Sequence, residues 1–194
     1  MAKTKEQLLN ILDQFQLDEK VVSAEPFGNG HINDTLKVTN EKGEIKYVLQ
    51  RINHLIFTNV DMLQNNIQIV TSHIRKKLEE KGEKDIERKV LHFFPADTGK
   101  TYWHDGESYW RVMAFIPNAR TYETVNPEYS YYAGVAFGNF QAMLADIPDK
   151  LGETIPDFHN MEFRLKQLRD AVATNAAGRV AEVQYYCLLY TSPS

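Results

Sequence analysis

The sequence predicts an α+β fold: an antiparallel sheet backed by one long helix, then helices alone. Three observations lead there. Between residues 20 and 116, short apolar runs with two-residue alternation are punctuated by glycine and asparagine turns. Residues 58–82 instead repeat their apolar side chains at steps of three and four. Beyond the break at Pro117-Asn118 every further pattern is helical.

Thr4-x-x-Gln7 is a capping-box pattern, and Leu8, Leu9, Ile11, Leu12 and Phe15 give the helix after it an apolar face. Strands are expected at 20–27 and 32–39, around the turn Gly28-Asn29-Gly30-His31-Ile32-Asn33, and a third over Ile45 to Ile52. Together they make a three-stranded antiparallel meander. Gly28 and Gly30 are free to take positive φ, and a run of backbone N–H groups at such a turn forms a concavity for phosphate oxygens. Asn-Gly is equally the signal of an ordinary β-hairpin. Both readings stand on these residues.

Thr58 is expected to cap the long helix and Gly82 to end it, giving a rod of roughly 36 Å. The charges between Arg75 and Lys81 read as its solvated face. Val90 to Pro95, Lys100 to His104 and Ser108 to Ile116 read as two or three more strands. After Pro127, Tyr132, Val135, Ala136, Phe140, Met143 and Leu144 form one helical face, with Gly134 and Gly138 permitting close packing. A helix over about 162–174 follows, and another helical pattern starts near Ala177.

Composition narrows the function classes. Among 194 residues, 43% are hydrophobic and 25% charged, the ordinary globular balance. A net charge of −4 argues against a dedicated nucleic-acid binder. No apolar run is long enough for a membrane span, and the N-terminus lacks a signal-peptide pattern, so a cytoplasmic protein is expected. Cys187 is the single cysteine, which excludes an internal disulfide and a cysteine metal cluster. His54, His73, His92, His104 and His159 have no metal-ligand spacing, and no G-x-S-x-G turn supports a serine nucleophile.

Gly28 to Thr35, Tyr47 to Asn53 and Val60 to Asn66, then Trp110 to Ile116, Ala136 to Gln141 and Glu153 to Asn160, form an ordered series. It resembles the N-terminal portion of N-acetylhexosamine 1-kinases, within the aminoglycoside-phosphotransferase-like, protein-kinase-like family. The resemblance implies a protein-kinase-like N-lobe over residues 1–117 and the hinge and first helices of a truncated helical C-lobe over 118–186; residues 187–194 lose the helical pattern and are expected to be an unrelated tail. It also implies transfer of the ATP γ-phosphate to the anomeric hydroxyl of an N-acetylhexosamine. By position, Gly28, Asn29, Gly30, Ile32 and Asn33 would cover the phosphates, and Gln50 would stand at the phosphate-contacting strand position. Met113, Ala114, Phe115 and Ile116 would hold the adenine, and His31 would face the sugar.

The sequence departs from that family in two ways. Phosphoryl transfer needs a carboxylate to take the hydroxyl proton and a metal to neutralise charge. The family's H-x-D-x-x-x-x-N loop and I-D-x-D strand are absent from these 194 residues: His104-Asp105 is a turn, and Asp146 and Asp149 follow no apolar strand. No catalytic residue is therefore assigned, and the ligands for Mg2+ are expected outside this stretch. Gln50, secondly, stands where kinases carry a strand lysine, and Arg51 faces the opposite side by alternation. A kinase for choline, homoserine or an aminoglycoside fits the same residues. So does a non-catalytic interaction module displaying Tyr129, Tyr131, Tyr132, Tyr185 and Tyr186.

Overall fold

The computed structural model describes residues 3–28, 30–122, 124, 126–183 and 185, and the chain divides into two compact units after Thr154. The tail from 187 onward lies outside the described residues. In the first unit, helix α1 (Lys5–Leu12) starts as its sequence dictates. Gln7 N–H donates to Thr4 Oγ1 at 3.3 Å, while Thr4 N–H donates back to Gln7 Oε1 at 2.9 Å. Thr4→Ala removes the Oγ1 acceptor of the Gln7 N–H and leaves the backbone donor of the reciprocal bond in place. It should lower stability by about 1 kcal/mol, read as a fall in the urea midpoint at unchanged m.

Strands β1 (Val21–Pro26), β2 (Asp34–Asn40) and β3 (Ile45–Ile52) form the expected meander. The tight turn after β2 is held by Asn40, whose Oδ1 accepts from the N–H groups of Lys42 and Glu44. Gly43 there takes φ +80°, the left-handed conformation that glycine adopts without a Cβ penalty. β4 (Phe93–Phe94), β5 (Trp103–His104) and β6 (Tyr109–Ala114) complete a six-stranded antiparallel sheet. Its main path runs β1-β2-β3-β6-β4, with β5 paired to β6. The later strands are shorter than the apolar runs suggest, because only the pairing with β6 gives β4 and β5 a ladder.

Alternation assigns the two faces. Leu36, Leu49, Trp110 and Val112 point to one side, where Leu8, Ile11, Leu12 and Phe15 cover them in the main core. Thr35, Gln50 and Arg111 belong to the other. Helix α2 (Val60–Glu80) leaves β3 and packs Val60 and Leu63 around Ile52, Tyr102 and Tyr109. Its cap is Asn59, whose Oδ1 accepts from Met62 N–H, and not Thr58. Its C-terminus closes on Gly82 (φ +66°): Gly82 N–H donates to Glu79 O and Glu83 N–H to Leu78 O, both at 2.9 Å. That is the left-handed glycine stop read from the sequence.

A single-turn helix α3 (Ile86–Lys89), which the sequence pattern did not suggest, follows. The charged end of α2 is only partly solvated. Arg75 pairs with Glu87 at 2.7 Å, and Lys77 Nζ donates to Met143 O at 3.0 Å and to Asp146. The Arg75 pair ties α2 to α3, and the Lys77 bonds tie it to the end of helix α4 (Pro127–Leu144). Of the apolar face expected on α4, only Met143 and Leu144 pack, beside Ile74, Leu78 and Val90. Tyr132, Val135 and Phe140 are exposed, and beyond the neighbouring residues and backbone of α4 itself no described atom lies within 4 Å of where a Cβ would stand on Gly134 or Gly138. The expected close packing is therefore absent among the described residues. Periodicity identifies a face fit for burial; it does not supply the partner.

The second unit carries helix α5 (Met161–Thr174), capped by Asn160 Oδ1 accepting from Phe163 N–H at 3.1 Å. Arg164 lies over the rings of Phe158 and Phe163. Residues 180–183 are again helical, as the pattern from Ala177 suggested.

Candidate functional site

The turn joining β1 to β2 begins where Phe27 N–H donates to Thr35 O at 2.9 Å. Gly28 takes φ +80°, so glycine is required there for backbone conformation. Gly30 does not share that conformation, which corrects the expectation for the pair. Asn29 lies outside the described residues. Asn33 is structural: its Oδ1 accepts from Asn53 N–H at 2.9 Å and pins the turn to the end of β3. His31 and Ile32, both exposed, line a hollow of about 340 Å³ with Arg51, Asn53 and His54.

On the α1 side, a cleft of about 740 Å³ runs from Leu8, Leu36 and Trp110 to Gly28, Gly30 and Asn33. Lys3, Lys5 and Arg51 stand at its edge. Two of these cations are already matched: Lys3 by Asp105 at 2.9 Å and Glu107 at 3.3 Å, Arg51 by Asp34 at 2.6 Å. The cleft is thus less positive than its composition.

The opposite face carries a row of polar side chains in register across three strands. Gln50 Nε2 donates to Thr35 Oγ1 at 2.9 Å. Arg111 Nε and Nη2 both donate to Gln50 Oε1, at 2.9 and 2.6 Å. Arg111 also lies over the Phe93 ring at 5.5 Å, and its buried Nη1 has no hydrogen-bond partner among the described residues. Burial lowers its pKa to about 10, so it stays charged at neutral pH. Sequence reading passed over Arg111. The available signal was an arginine inside the otherwise apolar run Tyr109 to Ile116.

The end of β6 reaches the same region. Ala114 N–H donates to His92 O and Phe115 N–H to Lys46 O, both at 2.9 Å, so two backbone donors expected to meet a base are engaged. Met113 and Ile116 are half-buried. The Phe115 ring meets Phe27, at the mouth of the glycine turn, edge-on at 5.9 Å. The structure thus joins the turn to the strand end through this ring pair, and joins Gln50 to Arg111. His31 and Ile32 remain apart, in the separate hollow.

Among the described residues, no group of three or more His, Cys, Asp or Glu side chains is placed to hold a metal ion. No helix among them is long and apolar enough to cross a membrane. No family model matches the chain.

Proposed function

We propose that this chain is the ATP-binding part of a small-molecule kinase, and specifically of one that phosphorylates the anomeric hydroxyl of an N-acetylhexosamine. The observation that carries the reading is adjacency within one sheet. The glycine turn follows β1, Gln50 lies on β3, and Met113 and Ala114 end β6, which pairs directly with β3 and leads into Phe115. A loop to cover phosphates, a strand position to contact them and a strand end to hold the base therefore adjoin. The ordered series of sequence resemblances gives the substrate class.

In the reaction, the anomeric oxygen attacks the γ-phosphorus, the bond to the departing ADP oxygen breaks, and the hydroxyl proton passes to a carboxylate. These 194 residues hold no loop to supply that carboxylate. By the sequence resemblance the magnesium ligands also belong outside this stretch, so the binding step is the part proposed for these residues. What they offer ATP is the glycine turn, the Thr35–Gln50–Arg111 row and the Phe27–Phe115 ring pair.

Calorimetric titration of the purified chain with ATP should give saturable binding, while N-acetylglucosamine and N-acetylgalactosamine should remain unphosphorylated in its presence. A steady ATP-dependent rate with either sugar would contradict the division of labour. Failure to bind any nucleotide would sink the kinase reading. One observation favours a second reading: Tyr131, Tyr132 and Phe137 stand exposed on α4, as on a non-catalytic interaction module. A defined 1:1 protein complex indifferent to ATP would support that alternative.

A further inference from the structure

Among the described residues, Arg111 is a cation that meets no anion. Its fork is spent on a neutral amide, with Nε and Nη2 converging on Gln50 Oε1, and its third nitrogen, Nη1, is buried without an acceptor. The Phe93 ring compensates only in part. Among the described residues no carboxylate forms an ion pair with it, and burial lowers its pKa. A desolvated charge is costly until an anion completes it. A guanidinium presents these same N–H groups to phosphate or carboxylate oxygens, with bonds stronger than those to a neutral acceptor. Gln50 Oε1 stands where such an oxygen would sit.

We infer that Arg111 is an anion receptor on this face of the sheet, that the Gln50 amide oxygen is its displaceable stand-in, and that the anion is the triphosphate of a nucleotide. The identity of the anion rests on the nucleotide reading above; the receptor role does not. The inference also accounts for Gln50. The glutamine brings no charge, and its register partner on β6 brings the charge instead.

Two variants test this, in phosphate-free buffer, by calorimetric titration with ATP and with inorganic tripolyphosphate. Gln50→Glu gives the guanidinium a permanent carboxylate, and Arg111→Met removes the charge while keeping an apolar chain over Phe93. Both should weaken both anions by about tenfold or more. Gln50→Glu should also raise Tm, because it supplies the missing partner; if Arg111→Met fails to fold, Gln50→Glu carries the test. Affinities within about twofold of wild type in the folded variants would overturn the receptor role and leave the nucleotide reading standing. Arg111-dependent binding of tripolyphosphate with no gain for ATP would keep the receptor and remove the nucleotide. Wild-type protein that binds neither anion would overturn both.

Discussion

Leu49→Ala is expected to lower the unfolding free energy by about 2–5 kcal/mol, a large part of the stability of a domain this size. Leu49 is 0% exposed at the middle of β3, with Leu36 opposite it on β2 and Val112 opposite it on β6. Leu8, Ile11 and Leu12 of α1 belong to the same buried cluster. Strands hold the position on both sides, so the surroundings cannot collapse far into the space, and the cavity penalty adds to the lost transfer free energy. Leu55→Ala is the control. That side chain is 83% exposed just beyond β3, and its truncation should change stability by no more than about 0.5 kcal/mol. Urea denaturation of the two variants gives the comparison. Equal midpoints would mean that the sheet is not packed under α1 as described.

Much of this architecture is legible residue by residue, where the determinant is local. The Thr4–Gln7 box, the turn-bounded strand Ile45 to Ile52 and the glycine stop at Gly82 each depend on a few neighbouring residues, and each is found where its pattern lies. Thr58 and Asn59 show the limit of such reading: both residue types cap helices, and spacing alone does not choose between adjacent candidates. The α4 face shows another, because amphipathic periodicity carries no information about a partner. In the site, alternation correctly separated Gln50 from Arg51, and those two side chains do engage different partners, Arg111 and Asp34. It could not find Arg111. Pairing residues 50 and 111 requires the register between β3 and β6, which are separated by a long helix, a single-turn helix and two short strands. Register is set by how the whole sheet buries its apolar face, not by a local motif.

The same limit makes Asp105 informative, since its sequence context, His104-Asp105-Gly106, reads only as a turn. The turn is real, with Gly106 at φ +93° between β5 and β6, but the carboxylate reaches well beyond it. Oδ1 accepts from the N–H groups of Glu107 at 2.9 Å and Ser108 at 2.7 Å. Oδ2 accepts from the Trp110 indole at 2.9 Å and faces Lys3 Nζ at 2.9 Å. Burial pushes this carboxyl up, but the Lys3 ammonium and the three N–H donors outweigh it and hold it well below the usual carboxylate range. Asp105→Ala strips acceptors from all of these donors at once and should cost about 2–4 kcal/mol at neutral pH. Asp105→Asn keeps an acceptor oxygen without the charge and should fall between alanine and wild type. The folded-state pKa lies below the unfolded value of about 3.9, so the ionic contribution is complete above about pH 5. It is lost as the pH falls through and below 4. Urea midpoints measured at pH 7, 5 and 3 should therefore show the wild type losing its advantage over Asp105→Ala as acid is added. Midpoints that fall in parallel would mean that the carboxylate is not ionically held, and that only the turn geometry remains to account for the residue.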